Sequence, residues 1–204
     1  MKKKKVLVIV AHPDDETIWM GGTILRNKDK WDLTIISLCR INDPDRAPKF
    51  FRVCKEYNAK AYMSDLEDEN LHPLELEEIK KRILKFVDMK EYYDEIYTHG
   101  DNGEYGHIRH MEIHLAVKKL IDDKSILCKK IFFFSYKKVP RKNTETNFDS
   151  IANSNANKFI NLNRLEFLRK KSLIQDLYGF SKDGFESRNC RETESFNIKL
   201  VQKI

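Results

Sequence analysis

The stretch Val6-Leu7-Val8-Ile9-Val10-Ala11-His12-Pro13-Asp14-Asp15-Glu16 decides the reading of this chain. Six apolar residues in a row, four of them β-branched, are the pattern of a strand buried on both faces, which is the habit of parallel sheets. Ligands of open parallel sheets bind beyond the carboxyl ends of strands, and here that end carries one imidazole and three carboxylates within five positions. Pro13 fixes φ and removes a backbone donor, so the segment is a stiff turn. Acidic residues are favoured in a first helical turn, and that role accounts for one or two of the acids. It does not account for His12, nor for the repulsion among consecutive carboxylates. A divalent cation resolves both, with imidazole nitrogen and carboxylate oxygen as ligands.

Further strands are predicted over Leu33–Cys39, Ala61–Met63, Glu95–His99 and Ile131–Tyr136. Between them, helices are predicted over Thr17–Asn27, Pro48–Asn58, Leu74–Asp88 and Arg109–Ile121. This alternation implies an α/β fold, a mostly parallel sheet with helices on both faces. From Arg141 to Asn163 the apolar residues thin out, which reads as a long surface loop. Helical periodicity resumes over Leu165–Leu177 and stops before Gly179, a C-cap glycine. Phe180–Ile204 reads as a polar tail, with Phe196–Val201 as an edge strand. There is no internal repeat, and one domain spanning residues 1–204 is expected.

A second constellation follows the Glu95–His99 strand. The segment Gly100-Asp101-Asn102-Gly103-Glu104-Tyr105-Gly106 leads into His107-Ile108-Arg109-His110 and on to His114. Spacings of three and four place the three histidines on roughly one helical face, and half of the chain's six histidines lie in these eight positions. One helical histidine is ordinarily structural; three beside a glycine-rich loop favour a metal or catalytic site. Glu does not follow His110 directly, so this is not a His-Glu-x-x-His zinc helix. His110 and His114 sharing an ion on their own stays open, as does which histidine joins the first constellation.

Length and charge bound the remaining classes. The 204 residues, 41% hydrophobic with 12 Phe and 8 Tyr, suffice for one well-buried core and exclude wholesale disorder. No apolar run approaches the ~20 residues of a membrane helix. The net charge of +6 is spread out, and its only run, Lys2–Lys5, reads as a solvated tail. No recognition motif supports nucleic-acid binding. Cys39, Cys54, Cys128 and Cys190 are far apart, as reduced thiols are, and cytoplasm is the expected address.

The string Ala-His-Pro-Asp-Asp-Glu after a first strand, with Gly-Glu-Tyr-Gly-His-x-x-His about ninety residues on, resembles the PIG-L/LmbE-like family of zinc-dependent de-N-acetylases. The resemblance covers roughly residues 1–135, leaves 136–204 as a variable part, and implies a Rossmann-like three-layer α/β/α fold. It implies zinc, or iron in its place, on His12, Asp15 and His110. Asp14 is then the general base, His107 a protonated partner of the oxyanion, and Tyr105 a residue that polarises the carbonyl. It also suggests Arg46, Glu104 and Arg109 as residues toward the substrate, an N-acetylglucosamine-type sugar or glycoconjugate. The family pattern has Asp where Arg109 stands. An inward-pointing Arg109 would lower the pKa of His107 by like-charge repulsion; the expectation is that it points to solvent or substrate and that Glu104 compensates.

Other residues are read more plainly. His72 is a loop residue, His99 a structural histidine near the site, Trp19 and Trp31 are packing residues, and Lys80–Lys90 is a solvated helix face. A metal- or sugar-binding relative without activity is the alternative to the hydrolase. A homo-oligomer is left open.

Overall fold

The computed structural model describes residues 2–143 and 146–201. Five parallel strands, β1 (Lys4–Val10), β2 (Trp31–Ser37), β3 (Lys60–Met63), β4 (Tyr92–Thr98) and β5 (Leu127–Phe134), form most of a seven-stranded sheet. Two strands from late in the chain, β8 (Lys158–Asn161) and β9 (Thr193–Leu200), complete it in the order β3-β2-β1-β4-β5-β9-β8. β9 runs antiparallel to both β5 and β8. A separate ribbon pairs β6 (Tyr136–Pro140) with β7 (Phe148–Ala152).

The helices are α1 (Asp15–Asn27), α2 (Arg46–Glu56), α3 (Leu76–Leu84), α4 (Gly103–Gly106), α5 (Ile108–Asp122), α6 (Arg164–Ser172) and α7 (Phe185–Asn189). α6 continues as a wider π-type turn, Leu173–Leu177. β1 shows why both faces must be covered: Val6, Val8 and Val10 pack with α1 and α2, while Leu7, Ile9 and Ala11 pack with α3 and α5. At roughly 2 kcal/mol for each fully buried aliphatic side chain, this strand alone anchors both layers. The α/β three-layer expectation holds.

Three local readings change. Lys4 and Lys5 are not a free tail: Lys4 pairs with Glu95 at 2.8 Å, and the Lys5 backbone N–H donates to Asp94 at 2.9 Å. The stretch expected to be a loop over Arg141–Asn163 contains β7 and β8. β7 is short and buries the polar Asp149 and Ser150, and β8 is short and mostly exposed, so neither shows the apolar alternation that would announce it. β9 lies inside the sheet rather than at its edge, and residues 202–204 of the expected tail fall outside the described residues. Among the described residues, no helix is long and apolar enough to cross a membrane.

The strand order reverses at β1, whose neighbours are β2 on one side and β4 on the other. The crevice beyond the carboxyl ends of β1 and β4 is therefore the topological switch point of this sheet. Both histidine- and acid-rich segments begin there.

Candidate metal and catalytic site

The turn after β1 puts Asp14 at the N-cap of α1 with φ 116°, a conformation that L residues rarely adopt. Glu104 in α4 is likewise at φ 60°. Strain at two acidic residues of one cleft is the kind that surrounding structure sustains at functional sites.

Three donor atoms converge between these segments. His12 Nδ1 lies 3.2 Å from Asp15 Oδ2 and 3.2 Å from His110 Nε2, and the last two are 3.3 Å apart. Three vertices of a tetrahedron with metal–ligand distances of about 2.0–2.1 Å are separated by about 3.3–3.4 Å. One imidazole from each constellation and one carboxylate thus fit a zinc-type ion with a fourth position open. Of the second constellation, His110 Nε2 lies within 3.3 Å of both His12 Nδ1 and Asp15 Oδ2, and His107 also comes near His12 and His110.

Neighbouring groups aim each donor. Glu104 Oε2 accepts from His110 Nδ1 at 2.5 Å and from His99 Nδ1 at 2.8 Å, while its Oε1 accepts from the Gly100 N–H. With Nδ1 committed, Nε2 of His110 faces Asp15, the carboxylate–histidine arrangement common around metals. Asp15 Oδ1 accepts from Trp19 Nε1 at 2.9 Å, and its Oδ2 from the His12 N–H at 2.8 Å. His12 Nε2 lies 3.1 Å from Asp68 Oδ1, a charge contact rather than an aligned hydrogen bond. His99 accepts from the Ala11 N–H and stacks on His110 at 3.8 Å, so it is structural, next to the donors.

Charges follow from these contacts. Burial opposes protonation of His110, but Asp15 and Glu104 outweigh it and raise its pKa to about 10. Burial pushes Glu104 up, and the two histidines overcome it to hold it at about 2. Asp14 rises well above the carboxylate range through burial and the Asp15 charge, with Arg46 opposing. Arg46 Nη1 donates to Asp14 Oδ2 at 2.7 Å, and its Cζ sits 4.4 Å over the Phe180 ring.

A cavity of about 250 Å³ opens on this centre, lined among others by His12, Asp14, Asp15, Arg46, Tyr105 and His107. Tyr105 packs on Phe185 and Phe148, at 5.0 and 5.6 Å between rings, and burial with the nearby Asp15 keeps its hydroxyl protonated. Burial, then the His110 and His12 charges of the metal-free protein, lower the pKa of His107 to about 3.

Two residues expected at the substrate turn elsewhere. Arg109 is fully buried and pairs with Glu67 and Glu112, each at 2.6 Å. It therefore neither meets solvent nor presses on His107. Glu104, also fully buried, is committed to His99 and His110. His114 donates to the His99 carbonyl at 2.9 Å, a structural contact.

The cavity also takes Arg40, Asp43, Asp68, Phe185 and Glu186, none of which the sequence singled out. Asp68 follows β3 at a strand's carboxyl end, which was a usable signal. Phe185 and Glu186 come from the stretch that reads as a polar tail, and nothing local marks them.

Residues 7–121 match the family model described as PIG-L, GlcNAc-PI de-N-acetylase. No curated protein sequence matches the chain at a significant level. Among solved structures, N,N'-diacetylchitobiose deacetylase from Pyrococcus horikoshii superposes with TM-score 0.68 at 18% identity, over 97% of this chain and 84% of that one. A deacetylase of teicoplanin biosynthesis gives 0.62 at 10% identity, over 86% and 84%. The 4-carboxy-2-hydroxymuconate hydratase GalB from Pseudomonas putida gives 0.58 at 12%, over 98% and 99%. At such identities these likenesses show the fold alone, and the hydratase shows that the fold hosts other chemistry. The family model spans more than half of the chain and both motifs: this protein belongs to the PIG-L family and is an N-deacetylase.

Proposed function

We propose that the protein is a zinc-dependent hydrolase that removes the N-acetyl group from an N-acetylglucosamine-type sugar or small glycoconjugate. The observation that carries this reading is the triangle of His12 Nδ1, Asp15 Oδ2 and His110 Nε2, with Asp14 beside it. A zinc ion on these donors, or iron in its place, supplies Lewis acidity and brings the pKa of water to about 7. Asp14 takes the proton from the attacking water; its raised pKa suits a base working near neutrality. Arg46 fixes the orientation of that carboxylate. His107 and the protonated Tyr105 are the donors for the carbonyl oxygen as it gains charge. A proton returned by Asp14 lets the amine leave, so the atoms balance as acetate and free amino sugar.

At about 250 Å³ the cavity matches one sugar ring better than an oligosaccharide. Four buried, unpaired thiols suit the expected cytoplasmic location. The test is acetate release from a panel of N-acetylglucosaminyl compounds with neutral and charged aglycones, on protein stripped of metal and reloaded with zinc or with iron. Metal-dependent release from at least one of them is expected. A fully metal-loaded protein that releases none would overturn the substrate class.

A further inference from the structure

A cluster of cations outside the catalytic cavity lies in the C-terminal part. Asp149 in β7 is buried and meets three guanidinium groups. Arg188 Nε is 2.9 Å from its Oδ1; Arg141 Nη1 and Arg191 Nη2 are 2.8 and 3.0 Å from its Oδ2. One carboxylate against three arginines leaves a formal surplus of about two positive charges at neutral pH. Arg188 and Arg191 also line a cleft of about 500 Å³ between the end of β7, α6 and the segment after α7. Lys171 of α6 lines the same cleft, where Glu192 is the only acid among the described lining residues.

These cations are not consumed by the fold. Among the described residues, Lys171 has no carboxylate partner; its Nζ stands 5.5 Å from the Phe167 ring. Arg191 is held through one Nη alone, and its Nε makes no hydrogen bond among the described residues. Arg188, by contrast, is fixed by Asp149, the Thr146 hydroxyl and the Asp183 carbonyl. A concave wall carrying one anchored and two available cations focuses positive potential. The planar guanidinium fork matches phosphate oxygens, with an ammonium as an additional point charge. Ile151, Phe167 and Cys190 give the cleft an apolar side, and its volume falls within the range of small-molecule sites.

We propose that this cleft is a binding site for a phosphate-type anion, held by Lys171 and Arg191 with Arg188 anchored behind them. It shares no lining residue with the catalytic cavity, and α7 stands between the two: Phe185 and Glu186 face one, Arg188 the other. The proposal does not rest on the deacetylase substrate, and its test reads binding rather than turnover.

The test follows the thermal unfolding of the metal-loaded protein in inorganic phosphate and in glycerol 3-phosphate, against chloride at equal ionic strength. A saturable upward shift is expected in phosphate. Glycerol 3-phosphate binding more tightly would assign an organic phosphomonoester, and equal binding would assign free phosphate. The variant Lys171→Gln/Arg191→Gln should bind at least tenfold more weakly, the effect of losing charge-assisted hydrogen bonds. Lys171→Glu alone is the second variant should the first fail to fold. His110→Ala, which removes a metal ligand, should keep the phosphate shift. An equal shift in both cleft variants, no shift beyond chloride, or loss of the shift in His110→Ala would each overturn the proposal.

Discussion

Arg46 and Asp14 form an ion pair at 2.7 Å within the wall of the candidate catalytic cavity, and the far end of the chain packs beneath its guanidinium. Gly179, at φ +80°, ends the helix that begins with α6 and delivers Phe180 beneath the Arg46 guanidinium. Arg46 in turn donates to the carboxylate proposed to take the proton.

Replacing Arg46 by Ala should therefore lower kcat about a hundredfold by misplacing Asp14, with metal content unchanged. Asp14→Asn should also keep its metal and lose about 10²–10⁴ in kcat. Steady-state kinetics beside metal analysis checks both, and full activity in metal-loaded Asp14→Asn would remove Asp14 from its role.

Glu104 holds two histidines and does not itself line the cavity. Glu104→Gln should weaken metal affinity about 10–100-fold, the usual cost of losing a carboxylate behind a histidine ligand. Competition with a chelator reads this directly. An unchanged affinity would mean that Glu104 serves the fold alone.

Protons and metal should compete for His110. In the metal-free protein its pKa of about 10 exceeds the ordinary 6.5, so the stability it contributes is full below pH 6.5 and is lost as pH rises through 10. Glu104, held at about 2 against 4.5, contributes stability that is full above pH 4.5 and is lost as pH falls through 2. Both of these contributions are full together between pH 4.5 and 6.5. Metal on these donors would require the free Nε2 of His110 and the free Nδ1 of His12, whose pKa is raised as well, so binding at pH 7 should release at least one proton. Calorimetry in two buffers of different ionisation enthalpy measures it, and zero release would contradict the assigned charge.

Lys170 and Glu194 pair at 2.7 Å with both side chains fully buried. Glu194 also accepts from the Gly22 and Thr23 backbone at 2.8 Å, just past the break in α1 at Met20. Lys170→Met or Glu194→Gln alone should cost about 3–5 kcal/mol, because each leaves a buried charge or donor unmatched. The double variant should recover part of that loss in denaturant unfolding. Additive losses would show that the pair is not coupled.

Much of the site was legible because it is local. His12, Asp14 and Asp15 follow one buried strand, and His107 and His110 follow another. Asp68 and Arg40 were not singled out as site residues, since each meets a partner far away in sequence, Asp68 His12 and Arg40 Asp68, whereas Trp19 meets Asp15 one helical turn away in α1. Arg109 was misread for the same reason: its partner Glu67 lies 42 positions earlier.

The sequence by itself determined the strand–helix alternation, the two motifs and the family they belong to, because apolar periodicity and turn chemistry are properties of neighbouring residues. Only the tertiary structure decided that β1 and β4 flank the point where strand order reverses, so that their two loops meet and His110 completes the donor triangle. It alone decided that the C-terminal part joins the main sheet and supplies Phe185 and Glu186 to the cavity. Pairing of distant strands depends on burial summed over the whole core, and no window of sequence contains that sum.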